Sequence, residues 1–97
     1  MLYNKSTGKP DVMSMESLVQ WLEQQPPQKK YLYFDHRNCL VAQYLKANGH
    51  ENPFVYSMGH YQDNMGIDRS FPMDFDGIAA DQPRTFGAAL KRAMAYL

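Results

Sequence analysis

Apolar residues recur at helical spacing near the start of the chain and again at its end. Between residues 15 and 24 the apolar positions fall on one side of a helix and the polar positions on the other. Ser14 precedes this stretch as an expected N-cap, and Pro26 and Pro27 cannot continue a helix. Residues 86–96 repeat the pattern after Thr85, another expected N-cap. The pattern therefore predicts helices over residues 15–24 and 86–96.

The middle of the chain predicts a buried strand that runs into a further helix. Residues 31–34 are an aromatic and aliphatic run of strand length, and four polar residues end it. Asn38 is the expected N-cap of a helix over residues 39–48, and Gly49 can adopt the left-handed conformation that closes a helix. Residues 54–58 predict a second strand, so the strand–helix–strand order predicts a βαβ unit with parallel strands.

These elements predict one small domain over residues 1–97, of the α/β or α+β class, with three helices packed on a short sheet. Leu2 and Tyr3 predict a short edge strand. Residues 59–84 have no sustained period, and a short strand at 71–75 or at 77–80 is left open there. The residues expected in the core are Leu18, Leu22, Leu32, Phe34, Val41, Leu45, Val55, Phe86 and Leu90.

The charge balance argues against two classes of partner. The 97 residues include ten basic and ten acidic side chains and have no net charge, so no field attracts nucleic acid or an anionic membrane. One cysteine excludes an intrachain disulfide framework and is typical of a reducing compartment. No apolar run approaches the ~20 residues that span a bilayer. We therefore expect a cytoplasmic protein that binds neither nucleic acid directly nor a membrane.

Cys39 is the first candidate for chemistry because it stands where a helix is predicted to begin. Backbone amides and the helix dipole stabilise a thiolate at such a position. His60 follows near the end of a later strand, which is the chain order of papain-like hydrolases. However, free cysteine is among the most buried residue types, and no family-specific sequence surrounds this one. The prediction is a non-enzymatic protein with a structural Cys39, and a Cys39/His60 thiol hydrolase is the alternative.

Side chains that could bind a metal occur at spacings that match no zinc ribbon or finger. Residues 74–77 share a fragment with calcium loops but lack the preceding aspartate and the closing glutamate. The sequence contains no glycine-rich phosphate loop, no nucleophile elbow and no dinucleotide fingerprint. It therefore predicts no metal and no cofactor. The side chains considered as ligands are His36, Cys39, His50, His60 and Asp63.

Residues 59–84 are the predicted contact surface for a protein partner, because aromatic and methionine side chains supply adaptable contact area. The segment carries five of the ten acidic residues against only Arg69 and Arg84, which favours a partner with a basic surface, such as a nucleic-acid-handling host complex. Tyr61 and Phe71 are the expected anchors. The alternative is that the aromatics of this segment fill the core of a small domain, and a homodimer also stays open. The predicted partner-binding residues are Tyr61, Asp63, Asp68, Phe71, Asp74 and Asp76.

Residues 35–45 and 85–90 resemble small, uncharacterised proteins encoded by tailed bacteriophages. The shared features are a strand that ends in an acidic residue, an Asn-Cys-Leu-x-Ala-x-Tyr-Leu helix and a terminal Thr-Phe-Gly-Ala helix. The resemblance covers roughly a quarter of the chain, and its motifs are structural. It implies a phage accessory protein that binds and inhibits a host or defence protein, such as a CRISPR complex, in the cytoplasm of the bacterial host. It implies no catalytic residue.

Overall fold

Four helices lie in the part of the chain that the computed structural model describes, which is residues 3–4 and 9–97. None of these helices is long and apolar enough to cross a membrane. The longest of them, α1 and α4, have nine residues each. The helices are α1 (Met15–Glu23), α2 (Leu40–Ala47), α3 (Met73–Ala80) and α4 (Phe86–Met94).

The described strands form two antiparallel sheets. β1 (Tyr3–Asn4) pairs with β2 (Lys9–Pro10), and β3 (Phe54–Ser57), β4 (His60–Gln62) and β5 (Asp68–Ser70) form a sheet in that order. Of the predicted edge strand, Tyr3 begins β1 and Leu2 lies outside the described residues. Helices and antiparallel strands therefore make a single small α+β domain, as predicted from the sequence.

The helices at the two ends of the chain begin at the capping residues that the sequence indicates. Ser14 Oγ accepts the Ser17 N–H at 3.2 Å, and Thr85 Oγ1 accepts the Ala88 N–H at 3.2 Å. Each cap satisfies a first-turn amide that has no partner within its helix. Both predicted helices are confirmed. They end slightly earlier than predicted, α1 at Glu23 and α4 at Met94.

The predicted helix over residues 39–48 is also confirmed, but its N-cap is Cys39 rather than Asn38. Cys39 Sγ accepts the Ala42 N–H at 3.5 Å. Asn38 belongs to the preceding turn, where its own N–H donates to the main chain and the side chain of Asp35. The helix closes at Gly49, whose φ of +88° is the expected left-handed conformation.

The predicted strand at residues 31–34 is wrong, and with it the βαβ unit. The chain turns here, and the Asp35 N–H donates to the Leu32 carbonyl at 3.2 Å. Because the backbone turns, Leu32 and Phe34 are 68% and 79% exposed, although both are expected in the core. The second predicted strand is confirmed as β3, which pairs antiparallel with β4 instead of parallel with a neighbour across a helix.

Residues 59–84 contain β4, β5 and a helix that the sequence pattern does not indicate. The strands considered at residues 71–75 and 77–80 are wrong, because α3 occupies residues 73–80. Its buried apolar positions are Phe75, Ile78 and Ala79, which lie on one helix face. Asp76 and Gly77 interrupt these positions in a helix of only eight residues, so the helical period is too short to recognise in the sequence.

Aromatic rings fill the core where α1, α2 and α4 meet. The Trp21 ring lies edge-on to Phe86 of α4 at 5.5 Å and to Tyr44 of α2 at 5.4 Å, measured between ring centroids. Edge-to-face contacts of this kind stabilise a core beyond the area that they bury. Apart from Leu32 and Phe34, all residues expected in the core are buried or pack against it. Leu18, Leu22, Val41, Leu45 and Phe86 are buried, and Val55 and Leu90 pack against the core while partly exposed.

Two arginines and a tyrosine bind the carbonyl end of α3. Arg92 donates to the Ile78 carbonyl, with its Nη2 at 2.6 Å, and Arg84 donates to the Ala80 carbonyl, with its Nη2 at 2.9 Å. The buried Tyr31 hydroxyl donates to the carbonyl between them, that of Ala79, at 2.7 Å. These donors satisfy carbonyls that have no partner within the helix, and the positive charge of the two arginines complements the negative end of the helix dipole. They fix the orientation of α3.

Gly87 allows α4 to approach the turn at Pro27. Its N–H donates to the Pro27 carbonyl at 2.9 Å, and a Cβ at this position would lie 2.8 Å from the carbonyl oxygen. Gly87→Ala is therefore expected to lower the free energy of unfolding by about 1–3 kcal/mol. Gly77→Ala is the matched control, because no atom lies within 4 Å of an added Cβ there. In an exposed helix position this change should raise stability by about 0.5–1 kcal/mol.

Urea denaturation followed by circular dichroism measures both effects. An unchanged Gly87→Ala midpoint would mean that α4 and the Pro27 turn are not in the contact described.

Candidate functional site

The two aromatic residues predicted as contact anchors lie in the core. Tyr61 and Phe71 are 3% and 5% exposed. Tyr61 is the inward-facing residue of β4, and its ring lies 6.3 Å from that of Phe71, which in turn stacks on Phe75 at 6.5 Å. The structure therefore gives no support to Tyr61 and Phe71 as anchors for a partner, because both rings are buried within this chain. A domain of this size needs these rings to fill its interior, which is the alternative that the sequence left open.

Asp63 and Asp68 lie at the hairpin formed by β4 and β5. Asp63 Oδ1 accepts the Met65 and Ile67 amides at 2.9 and 3.0 Å, and its Oδ2 pairs with Arg69 at 3.1 Å. The Ile67 amide and the Arg69 guanidinium hold the pKa of Asp63 below its usual value. Asp63 thus stabilises the hairpin turn, and Asp68 is an exposed acceptor for Gln62.

Asp74 and Asp76 lie on α3 but differ in burial. Asp74 is exposed in the first turn, where a carboxylate complements the positive end of the helix dipole. Asp76 is only 9% exposed and accepts the Tyr33 hydroxyl. The six predicted partner-binding residues are therefore divided among the core, the hairpin and α3, and they do not form one surface.

An apolar groove of about 210 Å³ opens beside Asp76, between the turn at residues 33–39, β3 and α3. Its rim is exposed, with Phe34 at 79% and Met58 at 61%. Met73, at 66%, lies beside Gly59, the residue that follows Met58, because its Cγ would be 3.2 Å from a Cβ added at Gly59. We call this site the groove. The residues that define it are Tyr33, Phe34, Cys39, Tyr56, Met58 and Asp76.

Phe34 is held in place although most of its surface is exposed. Its ring lies edge-on to that of Tyr33 at 5.0 Å. The guanidinium of Arg84 lies over both rings, 5.2 Å from the Phe34 centroid and 4.8 Å from the Tyr33 centroid. Arg84 is itself fixed by its hydrogen bonds to the Ala80 carbonyl. The fold therefore presents an exposed aromatic ring in a defined orientation.

Tyr33 connects the rim of the groove to Asp76. Its hydroxyl lies 2.9 and 3.1 Å from the two oxygens of the Asp76 carboxylate. Burial and the adjacent carboxylate raise the pKa of Tyr33 to about 12. The hydroxyl is therefore protonated at neutral pH and donates to Asp76. This bond joins the turn at residues 33–39 to α3.

Cys39 lines the groove, but the structure does not bring His60 to it. Cys39 is 4% exposed, and burial raises the pKa of its thiol despite the bond from the Ala42 amide. His60 is exposed outside the groove, with its Nδ1 3.3 Å from Ser57 Oγ. The histidine that does line the groove is His36, whose Nδ1 lies 2.7 Å from the Val55 carbonyl oxygen. Among the described residues no hydrogen bond joins Cys39 to His60, and the Cys39/His60 thiol hydrolase stays an untested alternative.

Other sites in the described residues offer less to a ligand. Two further clefts, of about 300 and 410 Å³, are lined mainly by polar side chains, including Arg37 and Asn52 in one and Glu51 and Arg69 in the other. Among the described residues, no three histidine, cysteine or carboxylate side chains lie close enough together to hold a metal ion. The groove is thus the candidate site that combines exposed aromatic and methionine side chains with a buried carboxylate.

No family model matches this chain, and no curated protein or solved structure matches it either. The resemblance to tailed-bacteriophage proteins therefore remains a prediction.

Sequence reasoning placed Asp76 at a contact site but missed Phe34, because Phe34 belongs to an apolar run that predicts a buried strand. The sequence of residues 31–34 does not show that Phe34 is exposed while the neighbouring Tyr33 is half-buried.

Proposed function

We propose that this protein is a non-enzymatic binding module that recognises another protein through the groove. The observation that carries this proposal is Phe34, which is 79% exposed and yet oriented by Tyr33 and Arg84. An exposed aromatic ring has an unfavourable contact with water that a partner can relieve. Because the ring is already ordered, binding loses less conformational entropy than it would with a free side chain.

The surroundings of Phe34 favour a protein partner. Met58 and Tyr56 line the groove with Phe34 and are 61% and 41% exposed, so several large apolar side chains share one opening. Aromatic and methionine side chains are enriched in the buried centre of protein interfaces. A projecting ring beside a groove also allows two-way contact, in which Phe34 enters the partner and a partner side chain enters the groove.

The class of partner that we propose is a host protein with a basic surface, such as a nucleic-acid-handling or defence complex that the binding inhibits. This part of the proposal rests on the five acidic residues of segment 59–84 and on the resemblance to bacteriophage accessory proteins. Asp63 forms an ion pair with Arg69. The other four acidic residues of the segment form no ion pair with another described residue, and they are Asp68, Asp74, Asp76 and Asp81.

The test is a pair of serine substitutions that remove the apolar rim. The variant Phe34→Ser, Met58→Ser should bind the partner at least about 30-fold more weakly, because truncating an interface anchor costs about 2 kcal/mol or more. Met65→Ser is the matched control, since Met65 is 77% exposed and lies in the β4–β5 turn outside the groove. Partners are captured from bacterial lysate on the three immobilised proteins, identified, and measured by titration.

Equal affinity of the native protein and the double variant for the captured partner would overturn the assignment to the groove. Sedimentation of the native protein and of the double variant tests whether the groove binds a second copy of the chain instead. If the native chain dimerises and the double variant does not, the groove binds a second copy and the host-protein proposal fails.

A further inference from the structure

We propose that the groove receives an arginine side chain of the protein partner, whose guanidinium binds Asp76. This inference rests on the proposed function and names the chemistry that the partner must present. Three observations support it: the charge of the groove, the unused acceptor positions of Asp76, and the aromatic rings that line the groove.

The described residues that line the groove include one acidic side chain and one imidazole, that of His36. Among the described residues that line it, Asp76 is the only carboxylate, and no lysine or arginine is present. Arg84 lies over the Tyr33 and Phe34 rings without lining the groove, and its guanidinium donates to the Ala80 carbonyl. A partner with a positive charge at this position therefore complements a carboxylate that forms no ion pair with another described residue.

Asp76 has hydrogen-bonding capacity that the described residues do not use. An ionised carboxylate accepts about four hydrogen bonds. Its only donor among the described residues is the Tyr33 hydroxyl, which has one proton. Asp76 is 9% exposed, so few water molecules reach it. Because a buried carboxylate is stabilised by charged donors, a guanidinium, with two parallel N–H groups, matches the remaining acceptor positions.

The walls of the groove suit arginine better than lysine. Tyr33, Phe34 and Tyr56 bring aromatic rings to it, and Arg84 already lies over one face of the Tyr33 and Phe34 rings. A planar guanidinium stacks on such rings, whereas an ammonium is a compact and strongly hydrated charge. The chain uses this contact elsewhere, since the Arg37 guanidinium lies 5.2 Å from the Phe54 centroid.

The size and the apolar lining fit one long side chain. At about 210 Å³ the groove is smaller than the ~300–1,000 Å³ of typical small-molecule pockets. The aliphatic stem of an arginine can lie along Met58 and Val55 while its head reaches Asp76.

The experiment uses side-chain analogues, so that it does not depend on finding the partner. The full ¹⁵N-labelled chain is titrated with n-butylguanidinium, n-butylammonium and 1-butanol, and amide chemical shifts are followed by NMR. We expect n-butylguanidinium to give saturable shifts at Phe34, Cys39 and Ala79, with at least about fivefold tighter binding than either other probe. This comparison on the native chain needs no variant.

Asp76→Asn then tests the carboxylate itself. Asparagine keeps an oxygen that can accept the Tyr33 hydroxyl, so the fold should be retained, and n-butylguanidinium should bind at least about fivefold more weakly. Asp74→Asn is the control, because Asp74 lies on the same helix but is exposed outside the groove. The affinity of this variant for n-butylguanidinium should differ from that of the native protein by less than about twofold.

Equal binding of the three probes, shifts centred away from the groove, or unchanged affinity in a folded Asp76→Asn variant would overturn the inference. The proposed function can be judged separately. If Phe34→Ser, Met58→Ser abolishes capture of the partner and Asp76→Asn does not, the groove is the binding site and the arginine is not its occupant.

Discussion

Phe75→Ala is expected to lower the free energy of unfolding by about 3–5 kcal/mol. Phe75 is fully buried on α3, and its ring lies 5.8 Å from that of Tyr44 on α2. Removing the ring loses its burial and leaves a cavity between the two helices, which their packing can close only in part. Because small domains are stable by only about 5–15 kcal/mol, the urea midpoint should fall sharply.

Met73→Ala is the matched control for Phe75→Ala. Met73 lies two residues earlier on α3 and is 66% exposed, so its truncation should change stability by less than about 0.5 kcal/mol. If the two variants lose the same stability, α3 does not face the core through Phe75. The groove would then lack the wall that α3 provides.

Cys39 is expected to react with iodoacetamide at least about 100-fold more slowly in the native protein than in urea. It is 4% exposed, so alkylation requires an opening of the fold. Burial also raises the pKa of its thiol, so at neutral pH a smaller fraction is thiolate than in a free cysteine. The rate is measured by mass spectrometry at several pH values, and it should keep rising with pH beyond the pKa of a free thiol.

The control for this measurement is an exposed thiol on the same fold. Ser70→Cys in a Cys39→Ala background places a cysteine at an exposed position of β5, which should react at the rate of a free thiol. Fast native alkylation of Cys39 that is slowed by His60→Ala would favour the thiol-hydrolase alternative over a structural cysteine.

The candidate site could be predicted from the sequence only in its chemical character. Segment 59–84 was expected to contribute aromatic, methionine and acidic side chains to a contact surface, and Asp76 of α3 does line the groove. Tyr61 and Phe71 have the same composition but face the core. Composition cannot distinguish a buried aromatic ring from one at a contact surface, because burial depends on which side chains of distant segments pack against the ring.

Phe34 is the case in which local pattern and tertiary structure disagree most. Residues 31–34 predict a buried strand because all four are aromatic or aliphatic. In the structure Tyr31 bonds to the end of α3 and Tyr33 to Asp76, both more than 40 residues away in the chain. These two hydrogen bonds turn the side chains of Tyr31 and Tyr33 toward the rest of the domain, so the side chains of Leu32 and Phe34 face solvent.

The sequence by itself determined the local elements whose signals lie within a few residues. Ser14 and Thr85 cap α1 and α4, Gly49 closes α2, and the apolar faces of these helices follow from their spacing. Only the tertiary structure decided the antiparallel sheet, α3 and the groove. The groove is formed by residues 33–39, β3 and α3, which meet through hydrogen bonds and packing between distant parts of the chain. The period of a single segment carries no information about such contacts.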